Sequence, residues 1–379
     1  MRVASERRNG QSPPPNKQPT NKMISFPAPT RGWTRNQNVA DNKQGGAAHL
    51  ENFFPMTTGV RVRKGSTLYA TIGAGTRVGA IMPYVLGSTK KLFAANTTAI
   101  YDITSPASTT ISPATSVSSL ANGDWSWVQM TTSGGTFLRL CNGQDTPLVY
   151  DGSTWGTAPA ITGVTATNLL ACWVFKSRLF FIEKNTLNAW YLPVDSIGGV
   201  ATKFPLGGVA KLGGSLMFGA SWSIDSYGQG LQDYCVFVTT EGEVIVYGGT
   251  DPSSASTWTM QGLYRIGRPL GQRAVIKAGG DLAIATDTGL IPLQQAISRD
   301  DSSLGMIAIS NQIEEEWKAE IAQRVGTYPW HVEMWPTKQM AIVAMPTYSS
   351  LPTRCFVVNI RTGAWCRYSG WDTHCLGLY

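Results

Sequence analysis

From about residue 65 the chain alternates short apolar runs with polar turns. The pattern repeats: an apolar strand, a turn of the Asn-Gly, Glu-Gly or Thr-Gly kind, then a second apolar strand ending near an aromatic residue. Copies occupy residues 92–103, 137–150, 179–192, 236–247, 282–293 and 355–366, and a weaker pair lies around Met334 and residues 340–343. These turns are hairpin chemistry. Start-to-start spacings are 45, 42, 57, 46 and then 73 residues. Hairpins recurring every ~40–50 residues predict a β-propeller with about one blade per repeat. A tandem of β-sandwiches is the structural alternative. No blade can bury both faces alone, so radial stacking, with Trp and Tyr filling the wedges, is the expected solution.

Two segments break the period. In residues 311–325, Ile313, Trp317, Ile321 and Val325 fall four apart, one face of an amphipathic helix. Asn311 with Glu314 resembles a capping box, and the acidic first turn suits the helix dipole. That apolar face either covers exposed blade surface or docks a partner through Ile313, Trp317 and Ile321. Residues 1–30 carry Pro13, Pro14, Pro15, Pro19, Pro27 and Pro29, which remove donors and fix φ, so an extended arm is expected there. Trp33, Leu50, Phe53 and Phe54 can anchor to a core, and Val60, Arg61, Val62 and Arg63 alternate as a short strand. The organisation is therefore all-β: a basic, Pro-rich arm over 1–64 and a propeller-like domain over 65–379 with a helical insert at 311–325.

Composition sharpens this. Charged residues are 15%, against a usual ~25%, while Gly numbers 40 and Trp 13. That excludes a disordered chain and a coiled coil. Of the net +7, residues 1–64 contribute +8 and residues 65–379 contribute −1. Basic character belongs to the arm, which can meet an acidic partner or nucleic acid, or remain a solvated tail. No apolar run reaches the ~18–20 residues of a membrane span, and the first 22 residues contain no secretory h-region. Cys141, Cys172, Cys235, Cys355, Cys366 and Cys375 form no CxxC pair and read as free core thiols.

Candidate chemistry is sparse. Gly73, Gly75 and Gly79 have GxGxxxG spacing with Pro83 following, a turn rather than a dinucleotide loop. Lys64 to Thr67 lacks the glycine cradle of a P-loop, and Ser88 to Lys91 matches SxxK without companion motifs. The three histidines, His49, His331 and His374, adjoin no nucleophile elbow. Cys366, His374 and Cys375 are too loosely spaced for zinc. Asp102, Asp124, Asp151, Asp195, Asp225 and Asp287 could pair as hydrolytic carboxylates, yet most adjoin Gly, Ser or Thr, where Asp makes turn hydrogen bonds. Surface Trp could instead stack on sugars. No cofactor, metal or catalytic residue is expected.

Four stretches resemble the tail nozzle, or packaged-DNA stabilisation, proteins of short-tailed bacteriophages. They are GGAAHLENFFP at 45–55 with GVRVRKG at 59–65; KLFAA at 91–95 with AIYD at 99–102; DTGLIPL at 287–293 with AISNQI at 308–313; and RTGAW at 361–365 with Tyr368, Gly370 and Trp371. Their order spans residues 45–371. The resemblance implies a virion structural protein, assembled in the host cytoplasm into a ring of six copies at the distal end of the tail. It implies a portal-adaptor protein above, tail fibre, spike or needle proteins as neighbours, and packaged DNA in the lumen. Arg31, Trp33 and Arg35 are then the expected arm anchors, since Trp and Arg dominate interface hot spots. Arg61, Arg63 and Lys64 serve an interface or touch DNA phosphates. A carbohydrate-binding propeller acting as a tail adhesin is the alternative. The chain stops in what reads as a strand, so either an N-terminal strand closes the propeller or the last blade is incomplete.

Overall fold

The computed structural model describes residues 27–35, 45–73, 77–107, 109–114, 117–225, 231–299, 303–324, 329–347 and 350–379. It is a β-propeller of six antiparallel blades. Blade 1 comprises Ala80–Leu86, Thr89–Ala95 and Ile100–Asp102. Blade 2 has Ser126–Thr132, Gly135–Cys141, Leu148–Tyr150 and Trp155–Gly156. Blade 3 has Leu169–Phe175, Arg178–Glu183, Asn188–Tyr191 and Thr202–Pro205. Blade 4 has Leu216–Asp225, Leu231–Thr239, Glu243–Gly249 and Trp258–Arg265. Blade 5 has Val275–Ala278, Asp281–Ala285 and Leu290–Pro292, and blade 6 has His331–Trp335, Met340–Ala344, Arg354–Asn359 and Trp365–Ser369.

Most second strands are apolar on both faces because neighbouring blades cover both. Phe180, Phe181 and Ile182 in blade 3 and Val236, Phe237 and Val238 in blade 4 are fully buried. Aromatic side chains fill the wedges: Trp258 stacks on Tyr247 at 5.7 Å and on Phe180 at 6.0 Å, and Trp173 meets Phe237 edge-on. Gly219 of blade 4 lies where any Cβ would strike the Trp173 ring, so that wedge closes only over glycine. Gly242, at φ +83°, makes the Glu241–Gly242 turn of the blade 4 hairpin in a conformation L side chains avoid.

The first five sequence hairpins are strands two and three of blades 1 to 5. The sixth, 355–366, is strands three and four of blade 6, and the weaker pair is strands one and two. The 73-residue gap thus combines the helical insert with a shift from strands two and three to strands three and four. The last blade has four strands from one continuous stretch, so neither expected ending holds. Instead, the arm adds outside blade 6: Asn52 N–H donates to Arg367 O at 2.7 Å and Arg367 N–H to Leu50 O at 3.0 Å. A hairpin of Phe53–Pro55 and Val60–Val62 extends from it.

The insert begins with a 3-10 turn, Asn311–Ile313, and continues as an α-helix, Glu314–Arg324. Val325 lies outside the described residues. The Glu314 carboxylate pairs with Lys318 one turn on, rather than turning back to Asn311 as a capping box requires. Ile313 and Trp317 are buried and Ile321 half-buried, all against the blade 5–6 core. The Trp317 ring stacks on Phe356 at 5.6 Å and its indole donates to Thr286 O at 2.9 Å. This face covers the chain's own blades and is not presented to a partner.

Candidate functional site

The first strand of every blade turns its open edge to the axis. Ile81, Trp127, Cys172, Gly219, Ile276 and Val332, one from each blade, surround an axial cavity of about 420 Å³. Arg273 caps it. Its guanidinium crosses from blade 5 to donate to Gly79 O at 2.5 Å and to pair with Asp124 at 3.3 Å. Asp124 also takes both terminal nitrogens of Arg77. One carboxylate thereby ties segments entering blades 1, 2 and 5 together. Burial pushes Arg273 below its usual range.

Blades 6 and 1 meet differently from the other pairs. Residues 371–379 run between them. The Cys375 thiol donates to Val78 O at 3.3 Å, and Leu376 N–H donates to Nδ1 of His331 at 2.9 Å. Gly377 passes where a Cβ would press on Ile81. Accepting at Nδ1 requires a neutral imidazole, and burial lowers the His331 pKa accordingly.

Beside this segment is a second cavity, about 420 Å³, lined mainly by Tyr69, Leu92, Trp335, Ile342, Trp371 and Tyr379. Trp335 is 37% exposed and Tyr379 55%. Glu333 is its one charged lining residue.

The arm residues dock on blade 6. Trp33 is buried, donates its indole N–H to Ala48 O at 3.0 Å, packs 5.9 Å from Phe356, and lies under the Arg367 guanidinium at 5.3 Å. Arg35 pairs with Glu316 of the insert at 3.1 Å, and its N–H donates to Gln312 O. Arg31 is exposed, held through its backbone to Gly45 O. Of the strand candidates, Arg63 is engaged, donating to Asn52 at 2.9 Å and lying over Trp371 at 5.0 Å. Arg61 and Lys64 are exposed on the outer rim, away from the axial cavity. Residues 1–26, with four of the arm prolines, lie outside the described residues.

The carboxylates sort only in part as turn chemistry suggests: Asp102 and Asp151 accept locally, whereas Asp195 and Asp287 accept from distant backbone N–H groups and Asp124 pairs with arginines. Asp151 accepts from Ser153 and Thr154 N–H groups, which hold it at about 2. Asp102 accepts from Thr104, Asp195 from Ser133 and Asp287 from Arg268. The Asp225 side chain lies outside the described residues. Of the thirteen Trp, only Trp335 is an exposed one among the described residues, so a Trp-rich surface does not exist there. All six cysteines are buried free thiols. Among the described residues no group of three His, Cys, Asp or Glu is arranged to hold a metal, and no helix is long and apolar enough to cross a membrane.

Sequence reading missed the Arg77–Asp124–Arg273 group and the Glu333–Trp335 pocket. Asp124 and, in the pocket, Trp371 stand out in the sequence, with nothing local to mark their distant partners.

No family model matches the chain, and no curated protein matches it in sequence. Solved structures of BBS1N in complex with ARL6DN are similar over 76% of this chain and 78% of that chain. The mercury-soaked one has 12% identity and a TM-score of 0.39, and the lead-soaked one 10% and 0.37.

Proposed function

We propose that this chain is a non-enzymatic virion structural protein, six copies of which form a nozzle ring at the distal end of a short phage tail. The ring retains packaged DNA and conducts it at ejection. The observation that carries the reading is the arm: it brings a basic segment to the propeller's outer rim, where Arg61, in the edge strand Val60–Val62, and Lys64, just beyond it, are exposed. A rim of this kind suits contact with neighbouring copies or with phosphates. The four sequence stretches described above supply the family likeness.

The axial cavity is not the conduit in this reading. Its 420 Å³ is the size of a small-ligand pocket, and Arg273 spans one end. A DNA major groove alone is about 12 Å wide. DNA therefore runs between copies, not through one. The portal adaptor lies above the ring, and fibre, spike or needle proteins are its other neighbours.

Cryo-electron microscopy of particles containing the chain tests this. A ring on the tail axis is expected, and particles lacking the chain are expected to lose their genomes. Particles that lack it yet keep DNA and infect would end the nozzle reading.

A further inference from the structure

The cavity between blades 6 and 1 joins two features that nothing in the chain's own described structure uses together. Its walls are apolar and partly open, through Trp335, Tyr379 and Leu378, 37%, 55% and 40% exposed. Glu333 is on its lining, as it is on that of the axial cavity. Its one partner within ion-pair distance is Nε2 of His331 at 3.7 Å, and no lysine or arginine among the described residues pairs with it. A cavity of this make-up fits an apolar anchor carried next to a cation.

The sequence contains that combination. Residues 20–30 read TNKMISFPAPT, placing Lys22 beside Met23 and Ile24 and close to Phe26. Phe26 is the one aromatic in residues 1–26. Pro19, Pro27 and Pro29 flank Lys22 to Phe26, and prolines lower the backbone entropy that docking removes. The described part of the arm begins at Pro27, just before the Gly32–Trp33 strand that packs on the last strand of blade 6, so the residues preceding it start from that blade.

We infer that the Trp335–Tyr379 pocket is the receptor for residues 20–30 of a second copy of this chain, with Phe26 or Ile24 as the anchor and Lys22 paired to Glu333. This rests on the ring reading and adds to it the contact by which arms tether neighbouring copies.

The test uses the full chain and a fluorescent peptide of residues 20–30, read by anisotropy. Binding is expected, weakened about tenfold by Trp335→Ala and by Tyr379→Ala, in line with loss of an aromatic anchor. Glu333→Lys should abolish it, and a peptide carrying Lys22→Glu should restore it to that variant. The charge-swap rescue guards against a variant that merely misfolds. A full chain that leaves the peptide unbound, or binds it equally with all three substitutions, overturns the inference. The ring is scored separately by microscopy. A ring whose peptide site lies elsewhere discards this pocket and leaves the nozzle reading standing, whereas peptide binding without any ring on particles does the reverse.

Discussion

His331 shows how one side chain can hold a seam. Its Nδ1 accepts the Leu376 N–H, and only the neutral ring can do so. Burial lowers its pKa first. The Glu333 hydrogen bond and charge oppose this, and the Arg273 charge adds to it. A histidine depressed in the folded state contributes stability that is fully present above its ordinary value near 6.5. That stability is lost as pH falls below it, through the lower folded value. Amide exchange across residues 373–379, corrected for intrinsic pH dependence, should therefore speed up between pH 7.5 and 5. His331→Asn, whose Oδ1 can accept without titrating, should flatten the profile. Equal acid sensitivity in both proteins would show that another group governs the seam. None of this was legible in sequence. A lone His between Trp330 and Val332 carries no mark of a donor 45 positions away. Trp33 was the opposite case, because a Trp in a Pro-rich, polar arm has few uses other than an anchor. What could not be read was its destination, the chain's own blade 6.

At the level of elements, legibility followed burial. Second and third strands announced themselves because both faces are covered, making runs such as Leu179 to Ile182 continuously apolar. Some first strands are mixed, as in Ser126–Thr132, where one edge faces the axial cavity, whereas Leu169–Phe175 is apolar throughout. Fourth strands shrink to two residues in blade 2. The insert helix was visible from its 3.6 periodicity, but its other face was not. Glu320 and Arg324 look like an ordinary surface pair four apart, yet their side chains are 3% and 1% exposed. Arg324 bonds Glu320 at 2.6 Å and the carbonyls of Pro346 and Pro352, while Arg354 takes the other Glu320 oxygen at 2.6 Å. This group clamps the helix to the strand-linking loop of blade 6. Glu320→Ala leaves two arginines facing one another and should cost about 3–5 kcal/mol in chemical denaturation, as for other broken buried pairs. Replacing Glu320 and Arg324 together by Leu and Met should recover much of that loss. A single-variant cost under about 1 kcal/mol, the surface-pair range, would mean the clamp is solvated in solution.

For the whole molecule the question is how a ring of blades closes without a strand shared between its ends. Interlocking cores join successive blades from 1 to 6, whereas the 6–1 seam has residues 371–379, Ile72 and Ile111 as filler. The arm strengthens blade 6 from outside but does not bridge the gap. Closure then depends on polar contacts at the axial end, where Asp124 holds Arg77 and Arg273. These groups are partly buried, between 16% and 21% exposed, so the pair energies fall between surface and interior limits. Asp124→Ala should destabilise by on the order of 2 kcal/mol, since it strands Arg273 in a desolvated site. The distribution of the effect is more telling than its size. Amide exchange should rise in the first strand of blade 1, residues 80–86, and in residues 373–379. The centre of blade 4, residues 235–238, lies between two intact cores and should keep its protection. A uniform rise across all blades would instead mean that the six open only as one cooperative unit, with the seam no weaker than any other interface.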